Sequence, residues 1–302
     1  MDVSVVVPTL NGRERLARAL DALAEHAPAS EVVVVNGPSA DGTTGMVRAR
    51  DDVDVLLEVA TRTLNVARNA GIDAASGDVV ALLGQDLVVE PGWFDAVVES
   101  FAGTDADVVT GPSRQQLRAG VTAEESESAR VGDREVTYFN GDNVAFRMSV
   151  LRELDGFDEY LETGGARDAA HRLAGLGRSV VWTAAMGASR EVGADGGRTD
   201  RDWGWKYRSI AYRLVKNYGV RPSVAAATGR AALTDAYAAA RDVASGESKP
   251  TAWLANGRDV VVGAVRGASD GLVARVRDRS PTRNPHGLSR RADRAVARYD
   301  DP

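Results

Sequence analysis

Two hydrophobic periods alternate along the first third of the chain, and no other feature constrains the fold as tightly. Residues 3–7 form a short, β-branched-rich apolar run. Leu16, Ala19, Leu20 and Leu23 then recur at helical spacing behind Asn11-Gly12-Arg13-Glu14, a helix-opening sequence with a glutamate three residues on from Asn11. A second apolar run at 31–35 ends in the turn-rich Asn36-Gly37-Pro38-Ser39-Ala40-Asp41-Gly42. A small-residue helix is expected over 65–75, a strand over 79–83 and a short one over 108–110. Between these strands Pro91-Gly92 opens a helix whose Phe94, Val97, Val98 and Phe101 share a face. Strands separated by helices predict an α/β fold, a mostly parallel sheet covered on both faces with right-handed crossovers. Ligands of such sheets bind beyond the carboxyl ends of the strands. That rule singles out three loops: 8–11, 36–41 and 84–86.

The remainder is less regular. Residues 113–134 are polar and aperiodic and are expected to form a loop. Strand and helix signals resume at 136–139, 149–154, 167–176 and 179–183, and the Gly/Asp-rich stretch 191–202 is a lid candidate. From Trp203 the chain turns helical and amphipathic (207–217, 224–243, 253–276), and the last twenty or so residues are expected to be disordered. The predicted division is therefore 1–203 for a sheet domain and 204–302 for a helical extension.

Charge follows the same division. Residues 206–302 carry 18 Lys and Arg against 9 Asp and Glu, net +9, while the preceding residues hold −15 of the overall −6. A basic amphipathic extension suits peripheral contact with anionic lipid headgroups, and equally a solvated face with no partner. With an acidic body, nucleic acid is not an expected partner. The abundance of Arg, Asp, Ala and Val beside only three lysines suggests a salt-adapted or high-GC source. Absence of cysteine excludes disulfides, thiolate metal sites and a cysteine nucleophile. No apolar run is long enough to span a bilayer and no basic leader precedes residues 3–7, so a cytoplasmic location is expected, with the membrane's cytoplasmic face as the possible site of contact.

Seven short elements in collinear order carry a resemblance. They are Val5-Val6-Val7-Pro8-Thr9-Leu10-Asn11; Val32-Val33-Val34-Val35-Asn36 with Ser39-Ala40-Asp41-Gly42-Thr43; Ala67-Arg68-Asn69-Ala70-Gly71; Gly77-Asp78; Leu82-Leu83-Gly84-Gln85-Asp86; Asn143-Val144-Ala145-Phe146-Arg147 through Gly156-Phe157-Asp158-Glu159; and Arg172-Leu173 with Gly177. Together they resemble glycosyltransferase family 2 over roughly residues 3–190. The resemblance implies a GT-A fold, a Rossmann-like mixed, mostly parallel sheet flanked by helices. It also implies inverting transfer of a hexose from a nucleoside diphosphate sugar, with UDP or GDP as carrier. The layout is similar to archaeal hexosyltransferases of protein glycosylation, which implies a lipid-linked glycan on dolichol or polyprenyl phosphate as acceptor.

By the same resemblance Pro8, Thr9 and Leu10 lie beside the base, with Leu10 in place of an aromatic residue. Asn36 replaces an aspartate that recognises the base, although Asn is also a common turn former. Arg68 is placed near base and phosphates, where its fork of donors suits phosphate oxygens. Gln85 and Asp86 complete the nucleotide-sugar set. The family's Asp-X-Asp triplet, which holds Mg²⁺ or Mn²⁺, is here Gly84-Gln85-Asp86. Asp86 is left as the single metal carboxylate unless it merely caps a turn. A downstream histidine ligand is missing too, with Arg190 near its place, so Arg190 or an arginine of 198–208 could replace the ion electrostatically. The Glu-Asp pair expected before Arg172-Leu173 is Gly165-Ala166. Asp168, two residues on, is then the candidate base that deprotonates the acceptor, or else a helix N-terminal acid. Glu162 and His171 are further candidates.

Three alternatives stay open. An ionised polyprenyl phosphate acceptor needs no strong base and so tolerates the lost Glu-Asp pair. A member that binds nucleotide sugar without chemistry fits the same substitutions. A dinucleotide oxidoreductase fits poorly, because Pro8-Thr9-Leu10-Asn11-Gly12 lacks the glycine-rich phosphate cradle.

Overall fold

The computed structural model describes residues 1–117, 120–122, 127–191, 202–244 and 250–301. Two compact units are present: Met1–Ser128, Thr137–Gly196 and His286–Pro302 form the first, Ala129–Val136 and Gly197–Pro285 the second.

The first unit begins with β1 (Val3–Thr9), α1 (Arg13–His26), β2 (Glu31–Asn36), α2 (Thr43–Val47), β3 (Val55–Val59), α3 (Leu64–Ala74) and β4 (Val79–Leu83). β5 (Leu87–Val89), α4 (Trp93–Ala102), β6 (Val108–Thr110), β7 (Ser113–Leu117) and β8 (Gly120–Thr122) follow. β9 (Ser128–Val131) and β10 (Arg134–Thr137) come next and lie mostly in the second unit; the first unit resumes with β11 (Asn143–Arg147), α5 (Met148–Leu154), α6 (Gly165–Leu176), β12 (Val180–Trp182) and β13 (Ala188–Glu191). The second unit then supplies α7 (Trp203–Tyr218), α8 (Pro222–Ala244) and α9 (Pro250–Arg277), before β14 (Ala295–Asp300) returns to the first.

The central sheet has eight strands in the order β12-β6-β11-β4-β1-β2-β3-β14. β1 runs parallel to both β2 and β4, with Val5 opposite Val32 and Ala81, and β2 runs parallel to β3. β11 is antiparallel to β4 and β6, and β14 is antiparallel to β3. The chain leaves β1 towards β2 and β3, then crosses back to lay β4 on the other side of β1. This reversal opens a crevice beyond the ends of β1 and β4, where loops diverge instead of covering one another. A smaller sheet, β5-β13-β7-β8, contributes Arg190 from β13.

Both faces of the sheet are packed. Val5, Val7, Val34, Ala81 and Leu83 meet Leu16, Leu20, Leu23 and Trp93 in one core cluster. On the other face α3 lies directly on β1, since a Cβ on Gly71 would fall 2.2 Å from Val6 Cγ1. That clearance explains the run of small residues in α3. Asn65 and Asn69 serve packing as well. Asn69 Nδ2 donates to the Phe157 carbonyl at 2.9 Å and its Oδ1 accepts from Phe157 N–H at 2.8 Å.

Several expectations are corrected. Residues 55–59 form a further parallel strand that had no separate signal, and residues 113–134 include β7, β8 and most of the β9–β10 hairpin in place of a single loop. The last twenty residues are not a disordered tail. Residues 286–301 return to the first unit, and the chain passes from the first unit to the second at 196/197, where 203/204 was expected. Their anchor is Arg294, 3% exposed, which donates to Asp73 at 2.8 Å and to the Gly287 and Leu288 carbonyls at 2.8 and 3.0 Å. The lid candidate falls almost wholly outside the described residues.

In the second unit Tyr207, Ile210, Leu214, Val215 and Tyr218 of α7 form a core with Val224 of α8 and with Val260, Ala264 and Ala268 of α9. Gly263 and Gly267 let α9 approach the backbone of α7, because a Cβ on either would lie 2.1 Å from the carbonyl oxygen of Gly204 or Arg208. No helix among the described residues is long and apolar enough to cross a membrane.

The close approach of α3 to β1 gives a direct test. Gly71→Ala should lower unfolding free energy by about 1–3 kcal/mol through overpacking, read as a lower urea midpoint with unchanged slope.

Candidate active site

A cavity of about 270 Å³ opens at the reversal point. Pro8, Thr9 and Leu10 line it from the end of β1, Gly84, Gln85 and Asp86 from the end of β4, and Thr61, Arg62 and Thr63 from the loop before α3. Arg68, Asp142 and Arg190 complete its polar wall.

Gln85 ties the two central strand ends together. Its Oε1 accepts from Thr9 Oγ1 at 2.6 Å and from Leu10 N–H at 3.0 Å. A side chain on Gly12 would collide with this amide, its Cβ falling 2.3 Å from Gln85 Oε1. The neighbouring loops are cross-locked in turn. Asn11, at φ 50°, accepts from Ala40 N–H at 2.8 Å, and its own N–H donates to Ser39 Oγ at 2.8 Å. Asp41 accepts from Arg13 N–H at 3.0 Å, and the Thr43 hydroxyl foremost, then the Arg13 amide, holds its carboxyl below the ordinary value. Asp41 thus caps α1 from a different loop.

Three arginines, Arg62, Arg68 and Arg190, and two carboxylates, Asp86 and Asp142, line the cavity. Arg68 is 5% exposed and donates from Nη2 to the Gly141 carbonyl at 2.7 Å and to Asp142 Oδ1 at 2.9 Å. Its guanidinium lies 5.2 Å over the Phe157 ring, a cation–π contact. Burial pushes Arg68 below its usual pKa, and the charge of Asp142 pulls the other way. Arg190 Nε lies 2.8 Å from Asp86 Oδ2, off the donor direction, while Nη2 donates to Asp86 Oδ1 at 3.2 Å. The same Nη2 is 3.6 Å from Asp142 Oδ2, so one guanidinium spans both acids.

Of the residues expected from sequence, Pro8, Thr9, Leu10, Arg68, Gln85 and Asp86 meet around this cavity. Asn36 does not line it. It is 1% exposed, its Nδ2 donates to Thr44 Oγ1 at 2.9 Å and its Oδ1 accepts from Ser39 Oγ at 2.7 Å. The turn-forming alternative therefore describes Asn36 better than base recognition does.

Asp168 needs a larger correction. It is fully buried inside α6, with Oδ2 accepting from Arg172 Nε at 2.8 Å. Arg172 also donates to the carbonyls of Leu154 and Gly156, at 2.5 and 2.8 Å, and so closes the end of α5. A carboxylate sealed on a buried guanidinium cannot reach an acceptor hydroxyl. His171 is likewise buried, edge-on to Tyr138 at 5.6 Å. Ala166, at the place of the missing aspartate, does approach the site, since a Cβ on Gly141 would fall 2.9 Å from Ala166 Cβ and 3.0 Å from Arg68 Nη2. Arg198 and Arg201 lie outside the described residues, and Arg208 pairs with Asp270 at 2.8 Å.

Sequence reasoning missed Arg62 and Asp142. Asp142 carried a signal, an acidic residue directly before the family-like Asn143-Val144-Ala145-Phe146-Arg147. Asn143 fixes it in place: fully buried, it accepts from Trp93 Nε1 at 3.0 Å and donates to the Met186 carbonyl at 2.8 Å.

A mostly parallel sheet with its crevice at the strand-order reversal, lined by arginines and two carboxylates, is an α/β architecture of the GT-A type. The sequence pattern of the glycosyl transferase family 2 matches residues 4–154, and the chain belongs to that family. It is 29% identical over 193 residues to Glycosyltransferase AglE of Haloferax volcanii, covering 60% of this chain and 64% of that protein. With the Glucosyl-dolichyl phosphate glucuronosyltransferase of the same organism it shares 27% identity over 180 residues, 52% of this chain and 56% of the relative. The chain thus spans less than two thirds of these relatives' length. Among solved structures, the mannosyltransferase PcManGT of Pyrobaculum calidifontis, in complex with GDP-Man and Mn²⁺, superposes with a TM-score of 0.58 at 19% identity, covering 89% of this chain and 87% of that one. S. aureus TarS 1–349 in complex with UDP-GlcNAc gives 0.57 at 19% identity, with coverage of 72% and 68%. These likenesses establish the fold.

Asp168→Ala would leave Arg172 charged, buried and unpaired on that side. It should cost about 3–5 kcal/mol of stability, read by thermal or urea unfolding, with any loss of activity following loss of fold.

Proposed function

We propose that the chain is an inverting glycosyltransferase that moves a hexose from UDP or GDP to a lipid-linked acceptor. The observation that carries this reading is Asp86 facing a cavity built by Thr9, Leu10 and Gln85 on one side and by Arg68 and Arg190 on the other. Pro8 and Leu10 offer apolar surface to the base. Arg62, exposed at the rim, and Arg68, fixed in the wall, present cationic charge to the diphosphate. The acceptor oxygen bonds to C1 of the sugar as the bond from C1 to the diphosphate oxygen breaks on the opposite face, which inverts the anomeric centre.

The donor chemistry at Asp86, a hard carboxylate oxygen, fits Mg²⁺ or Mn²⁺, and the Arg190 guanidinium resting on it marks a place where positive charge is favoured. A divalent ion held there would neutralise charge on the departing diphosphate.

A second reading, transfer directly to polyprenyl phosphate, is favoured by one specific observation. Residues 165 and 166 carry no carboxylate and Asp168 is sealed on Arg172, which leaves the exposed Glu162 as the remaining candidate base of that stretch. A phosphate oxygen is already ionised at neutral pH and attacks without proton removal. The helical unit supports a lipid acceptor under either reading. It is basic, and its α8 and α9 expose Leu233, Tyr237, Val261 and Val265.

Two measurements test these readings. UDP-, GDP- and dTDP-sugars, screened at high salt with and without Mg²⁺ or Mn²⁺, should raise the melting temperature for one nucleotide class. At a hundredfold excess over Kd the stabilisation is about 2.7 kcal/mol; no response to any donor would remove the enzyme reading. With the donor identified, dolichyl phosphate and a dolichyl phosphate-linked saccharide should be compared as acceptors. Product on the bare phosphate supports the direct reaction, and product only on the saccharide supports glycan extension.

A further inference from the structure

The first acid of the Asp-X-Asp triplet is Gly84 in this chain, yet the space it would fill is not empty. A Cβ on Gly84 would lie 3.0 Å from Asp142 Cβ, 3.4 Å from Asp142 Cγ and 3.4 Å from Asp86 Oδ1. The sheet explains the coincidence. β4 and β11 pair antiparallel with Leu83 opposite Asn143, and one step further Gly84 N–H donates to the Asp142 carbonyl at 2.9 Å. Residues 84 and 142 are therefore cross-strand neighbours, and a side chain on one reaches the volume of the other.

We propose that Asp142 supplies the carboxylate missing at position 84, so that Asp86 and Asp142 form one divalent-cation site whose place the Arg190 guanidinium holds. The inference rests on the nucleotide-sugar reading of the cavity, and three features support it. The donor set is two hard carboxylates, enough for Mg²⁺ or Mn²⁺ when phosphate oxygens and water complete the shell. Arg190 already bridges them, 2.8 Å from Asp86 and 3.6 Å from Asp142, so the volume between the two acids accepts a cation. Charge favours one. Arg68 and Arg190 only balance Asp86 and Asp142, leaving Arg62 at the rim as the one further cation among the described lining residues to face a bound diphosphate. A dication corrects that deficit and frees Arg190, whose side chain is 39% exposed, to turn towards phosphate. Sequence comparison position by position reads Gly84 as a lost ligand, whereas in space the ligand has moved to the next strand.

The test uses the full chain, with free Mn²⁺ followed by its electron paramagnetic resonance signal and UDP and GDP binding followed separately by thermal shift, both with Mn²⁺ and in EDTA. Asp142→Asn should weaken Mn²⁺ binding at least about tenfold, in line with the usual effect of disturbing a metal site. Arg190→Gln should strengthen it severalfold, because the competing cation is gone. The swap Gly84→Asp with Asp142→Gly should restore wild-type affinity, and it keeps the inference testable if Asp142→Asn folds poorly. Unchanged Mn²⁺ affinity in Asp142→Asn, weaker binding in Arg190→Gln, or no Mn²⁺ binding by any of these proteins overturns the inference. Nucleotide binding in EDTA combined with any of those results sinks the metal site alone. Failure to bind any nucleotide, whatever Mn²⁺ does, sinks the reading of the cavity.

Discussion

Everything at the site depends on the short-range electrostatics of four groups on one wall, Arg68, Asp142, Arg190 and Asp86. Each is anchored in a different element: α3, the turn before β11, β13 and the turn after β4. None is stable there alone. Arg68 is almost wholly buried and needs Asp142 and the Gly141 carbonyl, while the two acids face each other across a guanidinium. The surrounding scaffold holds these four ends in register. Buried Asn143 fixes the start of β11, Gln85 ties the β4 turn to β1, and bare Gly71 lets α3 rest on Val6 and bring Arg68 to the wall.

The division of labour among the motifs follows from burial. Conserving charge at a cavity is useful only where solvent or ligand can reach it, and Asp86, Asp142 and Arg190 meet that condition. Asp168 and Arg172 do not. Their pair is dry, satisfied by two carbonyls, and contributes by closing α5 against α6. Two acids in family-like stretches thus have opposite fates, one on a cavity wall and one inside a helix packing.

Much of the fold was legible because its signals are local. The valine runs of β1 and β2, the helical spacing of Leu16, Leu20 and Leu23 and the turn residues after each strand specify a parallel sheet and its ligand edge. Asp86 was legible for the same reason, sitting immediately after a strand. What escaped is non-local or weakly patterned. Gly84 and Asp142 are adjacent only through the β4–β11 ladder, which no sequence window spans. β14 alternates exposed with half-buried residues and lacks an apolar run, so it reads as a tail. The Asp168–Arg172 pair could have been found, because a spacing of four on a helix brings an acid and an arginine together.

β14 has a consequence for how this protein can be handled. As the last strand it occupies the hydrogen-bonding edge of β3, and it turns Val296 and the Arg298–Asp300 pair outwards. Trimming the chain before residue 295 would strip that cover and leave a row of bare amides and carbonyls beside Leu56 and Leu57. Such a row is a template for adventitious pairing with another molecule. The helical segment is therefore spliced into the sheet unit rather than appended to it, and excising it calls for a new linker between β13 and residue 286, not a stop codon.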